Sequence, residues 1–283
     1  MRACRPLLGT YVDIRVDHPD AGLAAAAVDA GFAAISRVQR LMSVFDPESD
    51  LGRINRLAHR APVAVDPWTR EVLGLALDVH EASGGLFDCG AAPQRVERGL
   101  LPTTEAVPAG STIANLHFTD DGHVACSAPI RLDLGGIAKG FAVDRATAAI
   151  LGAGAGGGTV NAGGDLRVFG DTEEAIHLRD PGNPQRLHFA GHLRDGACAT
   201  SATYYSRRKH RDREVSALVD PRNRQPLATR QSFTVIAPCC AVADALTKVL
   251  ALSGDASLPC FSSYAAHPLI LSQSRVRHDP SQT

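Results

Sequence analysis

Apolar and polar positions alternate from Gly9 to Val16, with β-branched residues at several apolar places, and that period of two predicts a strand. The period changes after Asp20. Leu23, Ala27, Ala30, Ala34, Val38 and Leu41 fall on one helical face, so a long helix is expected from an Asp20 cap to about Leu41. Residues 43–50 read as a loop. Asp66-Pro67-Trp68 offers a capping carboxylate and a first-turn proline, and the helix it opens should end near Ala82, before Ser83-Gly84-Gly85. Residues 91–115 carry few signals. After Val124 the pattern becomes strand-rich, with strands expected near 159–162, 165–169, 175–179, 197–199, 215–219 and 231–237. Two helices interrupt it. One runs from about Lys139 to Leu151 and leads into a glycine-rich linker, Gly152 to Gly158; the other runs from Ala241 to Leu252 and stops at Ser253-Gly254. The polar tail from Ser272 is expected to fray. Strands and helices mixed without strict βαβ alternation predict the α+β class.

Composition narrows the field without selecting a function. The 283 residues suffice for a substantial core. A net charge of −1 gives no electrostatic case for nucleic acid or for a membrane surface, and 5% aromatic content argues against a base-stacking platform. The seven cysteines are odd in number and form no CxxC pair, which points to reduced thiols and a cytoplasmic setting. Met1 to Pro6 lacks the apolar run of a signal peptide, Cys4 lacks a preceding lipoprotein-type segment, and no stretch is expected to span a membrane.

Candidate chemistry concentrates in Asp133-Leu134-Gly135-Gly136-Ile137-Ala138-Lys139-Gly140-Phe141-Ala142-Val143-Asp144. A short apolar strand is read as ending at a carboxylate, followed by two glycines, a lysine and a helix. Glycines let backbone approach a ligand, a helix N-terminus presents N–H groups with partial positive charge, and Lys139 adds a full charge. The combination suits an anionic ligand that carries a metal ion. A Gly-Gly pair before a helix is equally consistent with a tight turn.

Several segments, taken together, resemble the FAD:protein FMN transferase family, the ApbE-like flavin transferases. They are Leu8-Gly9-Thr10-Tyr11, Met42 to Pro47, Ser83 to Asp88, Asp133 to Asp144, and Ala243-Asp244-Ala245-Leu246-Thr247-Lys248. Asn161-Ala162-Gly163-Gly164-Asp165 and Val219-Asp220-Pro221-Arg222 are further landmarks. The resemblance implies an α+β flavin transferase fold with mixed or antiparallel sheets and packed helices. One domain over 1–283 is expected, divisible into sub-lobes at about 1–120 and 121–272, with a flexible tail at 273–283. It also implies transfer of the FMN half of FAD to a threonine or serine hydroxyl of an acceptor flavoprotein, with AMP leaving and Mg²⁺ assisting. FAD hydrolysis and flavin binding without turnover are the alternatives.

The same resemblance implies roles for single residues. Asp133 and Lys139 would contact the nucleotide, and Leu8, Phe45, Leu86, Phe87 and Leu218 would line the flavin pocket. Asp88 would bond a polar flavin edge, its alternative being to order a turn. Asp244, Thr247 and the Gly136 carbonyl would hold Mg²⁺; Asp244, Lys248 and Lys139 form the catalytic set. Two positions depart from the family pattern. Lys248 stands where a threonine ligand is usual, with Thr247 one residue earlier, so Lys248 either pairs plainly with Asp244 or replaces part of the metal's charge. Ala217 stands where many relatives have histidine, and Ser216 precedes it. The basic run Arg207 to Arg211 reads as a solvated loop or as a dock for an acidic partner. No HExxH spacing, nucleophile elbow or phosphate-loop motif occurs; Ser201 and Gly154 to Gly158 fit neither of the last two.

Overall fold

In β2 (Thr10–Asp17) the alternation sends Val12, Ile14 and Val16 to a fully buried face, while Asp13 and Arg15 line a cavity on the other. The computed structural model describes residues 1–91, 108, 110–202, 208–210, 213–215, 218–222, 225, 227 and 229–272. Seven strands form one antiparallel sheet in the order β1-β2-β5-β6-β7-β10-β11. They are β1 (Arg2–Leu7), β2, β5 (Gly157–Ala162), β6 (Asp165–Arg179), β7 (Leu187–Ala202), β10 (Ser232–Ala237) and β11 (His267–Leu271). Two small hairpins lie apart: β3 (Leu116–Phe118) with β4 (Val124–Cys126), and β8 (Arg208–His210) with β9 (Arg213–Val215).

Helices α1 (Ala21–Leu41), α4 (Ala138–Gly152) and α5 (Cys240–Ser253) cover the buried face. Shorter helices are α2 (Asp50–Leu57), α3 (Pro67–Ala82) and α6 (Pro259–Ser263). One continuous core joins Val12 and Ile14 of β2 to Phe32 and Ile35 of α1, Val143 and Ile150 of α4, and Leu246 of α5. The α+β class is as expected.

The element boundaries differ from expectation in instructive ways. The strands read at 165–169 and 175–179 are one strand, β6, and the one read at 197–199 is only the end of β7. A register shift between Val168 and Glu173 interrupts the period and divides the pattern in two. The glycine-rich linker yields its last two residues to β5, and a Cβ at Gly158 would stand 2.1 Å from the Arg15 carbonyl oxygen, so close pairing with β2 needs glycine there. Residues 130–133 belong to no sheet, although Ile130, Leu132 and Leu134 alternate inward as in a strand. Their backbone is held by the Asn55 amide, which donates to the Leu132 oxygen at 3.0 Å and accepts from its N–H at 2.7 Å. β1, α2, α6 and β11 carried no sequence signal strong enough to place them.

Helix α1 begins at the expected cap, with Asp20 Oδ1 accepting from Leu23 N at 2.9 Å. Its buried face is wider than the expected stripe and shifted to one side of it: Ala27, Ala34 and Val38 are buried as expected, Ala24, Val28, Phe32 and Ile35 join them, and Leu23 is exposed. An alanine-rich helix offers apolar residues on every side, and the bulky Phe32 and Ile35 select the face. Its best 18-residue window has a mean hydropathy of 1.4, long and apolar enough to cross a membrane, which corrects the expectation that no stretch is. Here it packs on β2 and α4 instead.

Candidate active site

Helices α4 and α5 meet at their N-terminal ends. A Cβ on Gly140 would lie 2.2 Å from the Cys240 carbonyl oxygen, so the two backbones touch where only glycine fits. Neither helix has a side-chain cap of its own at the N-cap position. Each borrows one from the other. Asp144 of α4 accepts from Cys240 N and Ala241 N, both at 2.8 Å, and Asp244 of α5 accepts from Gly140 N at 3.2 Å. This crossing fixes the Asp133–Asp144 segment against the segment around Asp244.

Four charges gather beside it. Lys139 Nζ donates to Asp165, the first residue of β6, and lies 3.6 Å from Asp244 Oδ2. Lys248 Nζ donates to Asp244 Oδ1 and to the Asp244 carbonyl oxygen at 2.9 Å. The carboxylates stand behind and the ammonium groups in front: side-chain exposure is 0% for Asp244 and 4% for Asp165, against 17% for Lys248 and 33% for Lys139. Burial alone would lower the Lys139 pKa, but Asp244 and Asp165 outweigh it and raise it above the usual lysine range. Burial would raise Asp244, yet Lys139 and Lys248 hold it below the usual carboxylate range. For Asp165 burial prevails, with the nearby Asp244 charge adding to it, and its pKa is raised.

The lysines open onto a cavity of about 1340 Å³. Its walls include Leu86, Phe87 and Leu218 on the apolar side, the Gly135-Gly136 turn, and polar residues of the outer sheet face such as Asn161 and Thr200. Phe87 is clamped through its backbone: its N–H donates to Ser83 Oγ at 3.1 Å and its oxygen faces His80 Nδ1 at 2.8 Å. A Cβ on Gly136 would stand 3.4 Å from the Phe87 ring and 3.7 Å from Lys248 Cε, so these three residues meet. Asp133 also lines the cavity, and its Oδ1 accepts from Gly135 N at 2.9 Å, shaping the turn.

Two expected pocket walls lie outside the cavity lining, and Asp88 has a structural bond of its own. Phe45 is 71% exposed and outside the cavity lining. Leu8 also lies outside the lining; it occupies the tight β1–β2 turn with φ +55°, and its N–H donates to Gln39 Oε1 at 2.6 Å. A two-residue hairpin turn with φ positive at Leu8 and Gly9 holds it there. Asp88 lines the cavity, and its Oδ1 accepts from Gly90 N at 2.7 Å and Ile113 N at 2.9 Å, so it orders a turn there. Ala217, Ser216, Arg207, Arg211 and the tail at 273–283 lie outside the described residues.

Sequence reasoning passed over Asp165 as a site residue, though it follows a two-glycine hairpin turn whose pairing sets it beside Ala162. It also passed over Ser201, whose Oγ lies 2.8 Å from Thr247 Oγ1.

The expected Mg²⁺ ligands do not form a divalent site in this arrangement. Asp244 and Thr247 are fully buried, and Lys248 and Gly140 already occupy the two Asp244 oxygens. Thr247 Oγ1 donates to the Asp244 oxygen at 2.7 Å and pairs with Ser201. A divalent ion sharing Asp244 with the Lys248 ammonium at about 4 Å would meet a repulsion on the order of 8 kcal/mol at an effective dielectric of about 20. Among the described residues, no group of three or more His, Cys, Asp or Glu side chains could hold a metal.

The ApbE family model matches residues 8–264. The chain belongs to the ApbE family. It is 26% identical over 241 residues to the FAD:protein FMN transferase of Vibrio cholerae, covering 78% of this chain and 71% of that protein. To the enzyme of the same name from Treponema pallidum it is 27% identical over 271 residues, covering 85% and 75%. The crystal structure of an ApbE protein from Thermotoga maritima superposes with a TM-score of 0.84 at 27% identity, covering 95% of this chain and 93% of the other.

Proposed function

We propose that this protein is an FAD:protein FMN transferase, moving the FMN half of FAD to a serine or threonine hydroxyl of an acceptor protein and releasing AMP. The observation that carries this reading is the pair of ammonium groups, Lys139 and Lys248, standing beside an apolar wall in a cavity of about 1340 Å³. Small-molecule pockets usually measure ~300–1,000 Å³, so the space accommodates a dinucleotide and leaves room for an acceptor segment. The names of the relatives support the same activity.

The chain's own residues divide the work. Leu86, Phe87 and Leu218 offer apolar surface for a flavin ring, and the Gly135-Gly136 turn lets the diphosphate approach the N-terminus of α4. Lys139 and Lys248 neutralise phosphate charge. The acceptor oxygen bonds to the phosphorus next to the ribityl chain as the bond to the bridging oxygen breaks. The electron pair leaves on AMP, whose phosphate takes up the hydroxyl proton. Mg²⁺ would supply Lewis-acid polarisation where a site existed, but Asp244 and Thr247 as placed do not fit it, and no step here runs through it.

The test is AMP release from FAD with a threonine-containing acceptor domain, followed by mass analysis of the acceptor. Stoichiometric AMP with covalent flavin on the acceptor is expected. AMP without modified acceptor would identify a hydrolase, and FAD binding without AMP a flavin-binding member; either would overturn the reading.

A further inference from the structure

We propose that the Lys248 ammonium, together with that of Lys139, stands in for a divalent cation at the diphosphate, so that this chain holds FAD without a metal ion. The inference rests on the reading above for the identity of the ligand, but its geometry is independent of turnover. Lys248 is tethered at two points, the carbonyl and the carboxylate of one residue, Asp244, four positions earlier on α5. An ammonium group has three N–H bonds, so two hold it in place and one remains for a phosphate oxygen. The same tether closes Asp244 to a metal, because the oxygen a metal would need is the one Lys248 occupies. Thr247 is closed as well, since its hydroxyl lies between the Asp244 carbonyl and Ser201.

Charge counting agrees. Lys139, Lys248, Asp165 and Asp244 sum to zero, with the two ammonium groups more exposed at the cavity than either carboxylate. Exchanging the lysine for a divalent ion would make the sum +1. The cluster therefore presents a layered dipole, positive face outward, to a ligand whose diphosphate is negative. Gly136 lies beside the arrangement, where a Cβ would make ordinary contact with the Phe87 ring at 3.4 Å and with Lys248 Cε at 3.7 Å.

Two readouts test this, and neither requires catalysis. Free Mn²⁺ is followed by electron paramagnetic resonance while wild-type protein or Lys248→Thr is added, with and without FAD. FAD affinity is measured by flavin fluorescence in EDTA and in Mg²⁺. Wild type should take up no Mn²⁺ at millimolar concentration, and its FAD affinity should be the same within about twofold in EDTA and Mg²⁺. Lys248→Thr should bind one Mn²⁺ per chain and lose about tenfold in FAD affinity in EDTA, restored by Mg²⁺. Lys248→Arg, which keeps the charge, guards against a misfolded threonine variant and should stay insensitive to EDTA. Stoichiometric Mn²⁺ uptake by wild type, or a tenfold loss of its FAD affinity in EDTA, overturns the proposal. Absence of AMP release from wild type bears on the transfer reaction alone, while Mn²⁺ uptake bears on Lys248 alone.

Discussion

Replacing Gly140 with alanine should separate α4 from α5 and dismantle the charge cluster. The added methyl would lie 2.2 Å from the Cys240 carbonyl oxygen, 2.6 Å from its carbon and 2.8 Å from Ala241 N, all backbone atoms that no rotamer change can move. An ordinary contact begins near 3.4 Å, so the helices must part by about 3.4 − 2.2 = 1.2 Å at the crossing. Overpacking of this kind costs about 1–3 kcal/mol, and a backbone clash belongs at the upper end. The hydrogen bond from Gly140 N to Asp244, 3.2 Å long, stretches beyond use, for roughly 1.5 kcal/mol more. Alanine's better helix propensity returns about 1 kcal/mol. The net loss is about 3–4 kcal/mol, a drop in melting temperature on the order of 8 °C for a chain of this size. Calorimetry of Gly140→Ala beside Gly152→Ala is the assay, since a Cβ at Gly152 meets nothing within 4 Å. If the two variants melt within about 1 °C of each other, the tight crossing is not what holds the site together.

Asp88→Ala should cost about 2 kcal/mol in urea unfolding by stranding the Gly90 and Ile113 N–H groups, with FAD affinity changed less than about twofold; a tenfold affinity loss at unchanged stability would restore the flavin-contact role. Of the seven cysteines, only Cys4 is exposed, and burial pushes Cys126 to about 11 and Cys198 to about 12. One fast thiol per chain is therefore expected with a disulfide reagent at pH 8, and three or more fast thiols in the native protein would contradict the burial. Lys139 has a raised folded pKa, so its contribution to stability is complete below the unfolded value of about 10.4 and shrinks as pH climbs toward the folded value. The stability gap between wild type and Lys139→Gln should accordingly be constant from pH 7 to about 9.5 and narrow above about 10.4; a gap unchanged at pH 11 would refute the pairing.

The parts of this fold legible in the sequence are those governed by local chemistry. Asp20 and Asp66 cap the helices they were expected to cap, because an N-cap acts within three residues. Gly254 ends α5 in the left-handed conformation that Ser253-Gly254 announced. What stayed hidden depends on partners distant in sequence. Residues 130–133 alternate like a strand, yet their hydrogen bonds go to Asn55 and Cys89 rather than to a ladder. The site divides along the same line. Lys139 and Gly136 belong to one glycine-rich turn, and Lys248 stood out through the family resemblance around Asp244. Asp165 was not, since it reaches Lys139 only through the pairing of β5 with β6. Leu8 and Phe45 lie outside the cavity lining, because an apolar residue in a recurrent motif marks a turn or an exposed loop as readily as a pocket wall.

The exchange of caps between α4 and α5 determines where this molecule can breathe. If either helix swung away, both would lose their terminal hydrogen bonds at once, so no partly opened state with one intact helix is favoured. Amides at Gly140, Cys240 and Ala241 belong to a single cooperative unit, and their hydrogen exchange should proceed only through global unfolding. The cavity wall that carries Lys139 and Lys248 is thereby as rigid as the protein itself. Among the described residues, the part of the cavity wall least tied to a neighbour is the β6–β7 ribbon beyond its bulge, which pairs with no third described strand.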